Sequence, residues 1–312
     1  MFAADMHCDT ISEMYHDRKR GKHTNLLSND LQVDLFRLKR GGYVLQNFAV
    51  FVDIKEEPDS YRCANGQIRL FREEIERYKN QIRPAVTAEE LEQNRREGYI
   101  SAVLTLEEGE VCAGSLKKLK AFYTKGVRMM TFTWKYENSL AAAGGLTDLG
   151  FMFLEEMERM GMVPDVSHLS DAGIFDVCRH AKKPVAASHS NARALCGKAR
   201  NLTDEMIRAV ASGGGVIGVN YYRPFLNEKT DYADESEGVA YIADHIMHLI
   251  RTGGILCAGL GSDFDGIHGM GGMADCSKLP RLAKELSGRG LSEREIEAVF
   301  YQNVLRLYKE CW

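Results

Sequence analysis

Histidine and carboxylate side chains close several apolar runs in this sequence, the combination from which proteins build metal sites. His7 and Asp9 stand two residues apart at the end of the first run. Strand side chains alternate, so both can point to one face while Cys8 points to the other. His168 follows the fifth run in Asp165-Val166-Ser167-His168, and His189 follows the sixth in Ala187-Ser188-His189-Ser190. Glu107 closes the third run in Leu104-Thr105-Leu106-Glu107, where one carboxylate could bridge two metals that share a hydroxide. Glu108 and Glu110 are rivals for that place, and alternation alone does not exclude Glu108. Asp263 lies in Gly261-Ser262-Asp263-Phe264-Asp265-Gly266 at the end of the eighth run. A carboxylate there, beside an activated water, can take and deliver a proton, and Asp265 has the same parity. Imidazoles with carboxylates and no cysteine favour zinc, with manganese, cobalt or iron as other occupants. Taken singly, each residue has a plainer reading: a buried polar pair, a packing histidine, a solvated acid or a turn cap. Three histidines at strand ends around one mouth weigh against that.

Eight short apolar runs could carry these residues: 2–8, 43–52, 100–106, 127–133, 162–167, 184–188, 215–220 and 255–262. Most are separated by helix-length amphipathic stretches such as 115–124 and 151–160, with Gly126 and Gly161 just before the next strand. Eight strands alternating with helices predict an α/β fold, the (β/α)8 TIM barrel, whose chemistry sits at the C-terminal strand ends. The long, charged connection 53–99 reads as a helical insertion. The tail from Ser277 reads as two closing helices, the last over 292–310 with Ser292 as N-cap and Glu295 completing a capping box. Residues 1–312 are thus expected to form a single catalytic domain.

Composition narrows the functions. Lys plus Arg number 40 and Asp plus Glu 44, a net charge of −4, so there is no case for nucleic acid. No apolar stretch is long enough to span a bilayer, and the first residues carry neither a secretory signal nor a lipidation motif. The eight cysteines include no C-x-x-C pair, which suits reduced thiols in a cytoplasmic protein without a membrane partner. A G-x-S-x-G elbow, an H-E-x-x-H helix and a P-loop are all missing, and Gly213-Gly214-Gly215 precedes a strand rather than a helix. His16, His23, His180, His245, His248 and His268 lack matching partners; His245 and His248 are expected to be packing or surface residues.

Together these motifs resemble the membrane dipeptidase (renal dipeptidase) family of metallopeptidases over nearly the entire chain. Arg200-Asn201-Leu202 and Asn303-Val304-Leu305-Arg306 add to the resemblance. It implies two zinc ions per chain: one held by His7, Asp9 and Glu107, the other by Glu107, His168 and His189, with Glu107 and a hydroxide bridging. It also implies that Glu107 rather than Glu108 is the ligand, that Asp263 is the catalytic acid/base, and that the chain forms a homodimer. Arg200, eleven residues after His189, would bind the substrate's terminal carboxylate through its planar fork. The chain departs from the family at Trp134, where many relatives carry histidine in a Thr-His-Asn sequence. An indole N–H can donate a hydrogen bond but carries no charge, so Trp134 is expected to line the substrate pocket, and Lys135, Tyr136 or Asn138 could substitute for the histidine.

The function these residues predict is hydrolysis of dipeptides: a metal-bridging hydroxide attacks the peptide carbonyl and Asp263 passes the proton to the leaving amine. Two alternatives remain at this level. One is another metal-dependent amidohydrolase, an N-acyl amino acid deacylase or lactonase; the other is a non-catalytic metal-binding barrel.

Overall fold

The structure is a computed structural model that describes residues 1–228, 235–268 and 273–312. Eight parallel strands close into a barrel: β1 (Ala3–Asp5), β2 (Tyr43–Phe51), β3 (Ile100–Glu107), β4 (Val127–Thr131), β5 (Val163–Asp165), β6 (Ala186–Ala187), β7 (Val216–Val219) and β8 (Ala258–Leu260). Each pairs with its successor, and β8 returns to β1 through Leu260 opposite Asp5. Each of the eight apolar runs coincides with one of these strands, β3 extending one residue past its run to Glu107, so the expected TIM barrel is the observed fold.

Alternation along the strands divides the apolar residues between two cores. On β3, Val103 joins Ala4, Met6, Leu45, Met129, Val163, Ala186 and Val216 inside the barrel. Leu104 and Leu106 face outward into the larger layer between strands and helices, which also takes Cys8. The same parity that puts Val103 inside carries Glu107 to the inner face at the strand's end. Below the barrel, the terminal helix Asn303–Cys311 packs Val304, Leu307 and Tyr308 into the inner cluster, and Tyr308 Oη donates to Asn47 Oδ1 at 2.8 Å.

Three details differ from the sequence reading. The connection 53–99 holds helices Ser60–Arg77 and Ala88–Arg96, but also a strand, Ile82–Pro84, parallel to Ile100–Ala102 of β3. It fits there because β4 pairs with β3 only from Leu104 onward, leaving the start of β3 open on that side. The closing helix begins with the expected Ser292–Glu295 capping box, but takes a π turn over Ala298–Gln302. Immediately after that turn, Asn303 Nδ2 donates to the carbonyls of Ile255 and Ala258 at 2.8 Å each. The first three residues of the eighth run, Ile255–Cys257, form a 3-10 turn rather than strand.

Candidate metal centre and active site

At the C-terminal mouth the side chains of His7, Asp9, Glu107, His168, His189 and Asp263 converge. Glu107 presents one oxygen to each half of the cluster. Its Oε2 lies 3.3 Å from His7 Nε2, while Oε1 lies 2.9 Å from His168 Nε2 and 3.5 Å from His189 Nε2. Asp9 Oδ2 stands 3.4 Å and Asp263 Oδ1 3.8 Å from His7 Nε2. The Nε2 atoms of His168 and His189 are 2.7 Å apart, both aimed at the same place, while His189 Nδ1 is held by Ser188 Oγ at 2.7 Å.

Whether these residues suit a metal can be tested on their own bonding. His7 Nε2 and Asp9 Oδ1 are buried without a hydrogen-bond partner, a condition that costs roughly 1–3 kcal/mol per group unless a ligand relieves it. Ligand atoms of His7, Glu107 and His189 lie within 4.8 Å of one another, as do those of His7, Asp9 and Asp263. Two overlapping sets of nitrogen and oxygen donors, with no thiolate, fit a pair of divalent cations of the zinc type.

The electrostatics carry the same signature. Burial alone would raise Glu107, but His7, His168 and His189 outweigh it and hold the carboxyl well below its usual range. Burial would lower His7, yet Glu107 and Asp9 hold it well above the usual value. Burial pushes Asp263 up to about 7, opposed by His7 and reinforced by Asp9 and Glu107. It pushes Asp9 up to about 6, reinforced by Glu107, and lowers His168 to about 4 with help from Arg200. A cluster that draws one imidazole toward its charged form while crowding acids together would be stabilised by a cation at its centre.

The backbone around the site is strained where chemistry is expected. His168 and Asp263 adopt left-handed φ values of 71° and 64°, rare for residues with a Cβ. Gly266 allows a close approach: a Cβ there would meet Asp9 Oδ2 at 2.2 Å and Asp263 Oδ1 at 2.7 Å. Sequence reasoning overlooked the residues that hold this geometry. Asp5 Oδ1 accepts from the backbone N–H of His7 and Ser262 at 3.0 Å each, tying β1 to the β8 loop. Asp165 Oδ1 does the same for Ser167 and Ser188, at 2.9 and 3.0 Å, tying β5 to β6. An acid inside an otherwise apolar run was the available signal in both cases. Asn220 Nδ2 donates to Asp263 Oδ2 at 2.8 Å and fixes that carboxylate.

The acids that alternation left open take separate places. Glu108, at φ 91°, turns away from the cluster and accepts from the backbone N–H of Glu110 and Trp134 and from Asn138 Nδ2. Asp265 accepts from Thr10 Oγ1 and from the backbone N–H of Gln32. His245 holds the loop after His189 by accepting from Ala192 N at 3.0 Å, and His248 pairs with Asp204 on the flank.

Two hollows open at the mouth and share Trp134 and His168 as walls. The first, of about 430 Å³, exposes Asp9, Glu107 and Asp263; the second, of about 400 Å³, is lined by Arg200 and Lys135. Arg200 donates from Nη1 to Ser190 Oγ and from Nη2 to the His189 carbonyl, both at 2.9 Å, and its Nε has no partner. The Trp134 ring packs edge-on against Phe51 with centroids 4.6 Å apart.

A closed parallel barrel with imidazoles and carboxylates gathered at its C-terminal mouth defines a metal-dependent hydrolase. The family model for membrane dipeptidase, peptidase family M19, matches residues 1–311, and the chain belongs to that family; it is a metallo-dipeptidase. A protein described as dipeptidase aclJ, from Aspergillus oryzae, is 33% identical over 88% of this chain and 69% of its own length. An uncharacterized dipeptidase of Schizosaccharomyces pombe is 31% identical over 89% of this chain and 71% of its own. Among solved structures, a metallopeptidase of family M19 called dipeptidase AC superimposes with a TM-score of 0.93 at 25% identity, covering 100% of this chain and 99% of that one. A metallopeptidase from Rhodobacter sphaeroides, solved with a phosphinate mimic of the dipeptide L-Ala-D-Ala, shares the fold with a TM-score of 0.90 at 23% identity, over 100% and 99% of the two chains. Among the described residues no helix is long and apolar enough to cross a membrane.

Proposed function

We propose that the chain is a binuclear zinc dipeptidase, with His7, Asp9 and Glu107 holding one zinc and Glu107, His168 and His189 the other. The observation that carries this reading is the split of the Glu107 carboxylate, one oxygen toward His7 and the other toward His168 and His189. Bound there, two zinc ions would lower the pKa of a shared water and polarise the scissile carbonyl. The protein's own groups do the rest. Asp263, fixed by Asn220, takes a proton at its free Oδ1 and delivers it to the leaving amine. Arg200 keeps its carboxylate-binding donors in the second hollow because Ser190 and the His189 carbonyl fix its guanidinium. Trp134 walls both hollows and so would line the path of a substrate that spans them. The two hollows suit a short zwitterion, with its amino end beside the acids and its carboxylate beside Arg200.

The whole chain acts in this reading as one catalytic unit. Its eight free cysteines support a reducing, cytoplasmic setting. Assembly as a homodimer rests on family resemblance alone. Elemental analysis of the purified protein tests the centre: about two zinc ions per chain, falling in His168→Ala, together with cleavage of dipeptides. A chain that binds no zinc after loading would sink the reading. An Arg200→Ala variant with undiminished turnover would remove Arg200 from substrate binding and favour amide or ester substrates lacking a carboxylate.

A further inference from the structure

We infer that Glu13 selects substrates whose first residue carries a cationic side chain, lysine or arginine in type; this rests on the dipeptidase reading above. The hollow that exposes Asp263 is lined by carboxylates from Asp9, Glu13, Glu107, Asp263 and Asp265, with no lysine or arginine among its lining residues. Three of these belong to the proposed centre. Asp265 has both oxygens engaged, by Thr10 Oγ1 and by the Gln32 N–H. Glu13 is the carboxylate left over. Its nearest cation, Arg20, stands 3.9 Å away and is itself engaged by Asp17 at 2.7 Å.

The helix Thr10–Lys19 sets where that charge sits. Glu13 N donates to the Asp9 carbonyl at 3.0 Å, so Glu13 lies about one turn beyond Asp9, about 6 Å along the axis and on the same face. A substrate whose reacting bond lies beside Asp9 and Asp263 would need a side chain with a stem of that order to reach Glu13, which lysine and arginine possess. The hollow also has aromatic walls. Phe51 and Trp134 pack edge to face at 4.6 Å, and Tyr222 and Phe225 at 4.9 Å, all lining this hollow. Aliphatic stems pack on such rings and cations are attracted to their faces. An anionic side chain would instead meet carboxylates along the hollow.

The test compares kcat/KM of the zinc-loaded full chain on Lys-Ala, Met-Ala and Glu-Ala, with methionine matching lysine in length but not charge. The wild type is expected to favour Lys-Ala over Met-Ala by about fivefold or more, the upper range of a solvent-accessible charge pair, with Glu-Ala last. Glu13→Gln should bring the Lys-to-Met ratio toward one, and Glu13→Lys should place Glu-Ala ahead of Lys-Ala. Each ratio is taken within one protein, so partial loss of folded enzyme cancels. Cleavage of Lys-Ala and Met-Ala at equal efficiency, or a ratio unmoved by Glu13→Gln, overturns this inference and leaves the dipeptidase reading standing. Failure to cleave any dipeptide overturns both.

Discussion

The two ends of the barrel are made from the same strands and obey opposite rules. At the floor, Ala4, Leu45, Val103, Met129 and Val163 close on the terminal helix in an apolar cluster. At the mouth, buried imidazoles and carboxylates face one another, with two unpartnered atoms on His7 and Asp9 and left-handed residues at 168, 263 and 265. Val103 and Glu107 lie on one face of β3, four residues or about 13 Å apart. Stability and chemistry are therefore divided along the strand axis: the floor stabilises the fold, and the mouth holds a charge cluster that is unfavourable until a ligand completes it.

Substitutions at the two ends should separate these contributions. The largest effect on activity is expected at Glu107, which faces every histidine of the cluster. Glu107→Gln should cut metal content and lower kcat/KM by about 10³-fold or more, the equivalent of several kcal/mol of lost charge stabilisation. Full zinc content in that variant would break the bridging assignment. Asp263→Asn should lower kcat by about 10²–10⁴-fold, the usual worth of a general acid/base, while zinc measured by elemental analysis stays at the wild-type level. Joint loss of metal and activity would make Asp263 a ligand instead of a proton carrier. At the floor the pattern should reverse. Leu45→Ala, at a site 1% exposed, should cost about 2–5 kcal/mol in denaturant unfolding with kcat/KM of the folded fraction unchanged. A large fall in kcat/KM there would show that the two ends are coupled.

The floor and the strand positions were legible in the sequence because apolar runs bounded by turn residues report a buried parallel sheet directly. The residues that converge at the mouth were legible as candidates too, since a histidine or acid at the end of such a run has few structural reasons to be there. What escaped was whatever depends on a partner distant in sequence. Asp5 and Asp165 each bind backbone N–H groups of two strands, and Asn220 meets Asp263 across 43 residues. The strand Ile82–Pro84 is three residues long, too short for periodicity, and exists because β3 has an open flank there. Glu107 and Glu108 are adjacent acids that differ only in which way the chain turns after β3, and resemblance alone separated them before the structure did.

That adjacent pair gives the finest comparison between the charge cluster and the loop beside it. In the metal-free chain, burial pushes Glu108 up to about 7 against its three hydrogen bonds, and Asp263 up to about 7 as well. A carboxyl raised on folding binds more protons folded than unfolded. Its contribution is fully present below the ordinary values of 4.5 for Glu108 and 3.8 for Asp263, and is lost as pH rises through about 7. The buried His168 and His245, lowered to about 4 from 6.5, act in the opposite direction below pH 6.5. Above that value they are neutral in both states, and the acids together with His7, held above its usual value by Glu107 and Asp9, make stability fall as pH rises. The Tm of the metal-free protein should therefore fall by a few degrees between pH 6.5 and 8, about what a 1 kcal/mol change produces in chains of this size. Glu108→Gln should flatten part of that fall while lowering Tm overall, because its amide N–H₂ cannot accept from the Trp134 N–H. Asp263→Asn should flatten a further part, leaving the share that His7 contributes. If Glu108→Gln leaves the slope intact and Asp263→Asn removes it all, the pH sensitivity belongs wholly to the metal cluster and Glu108 is ionised throughout.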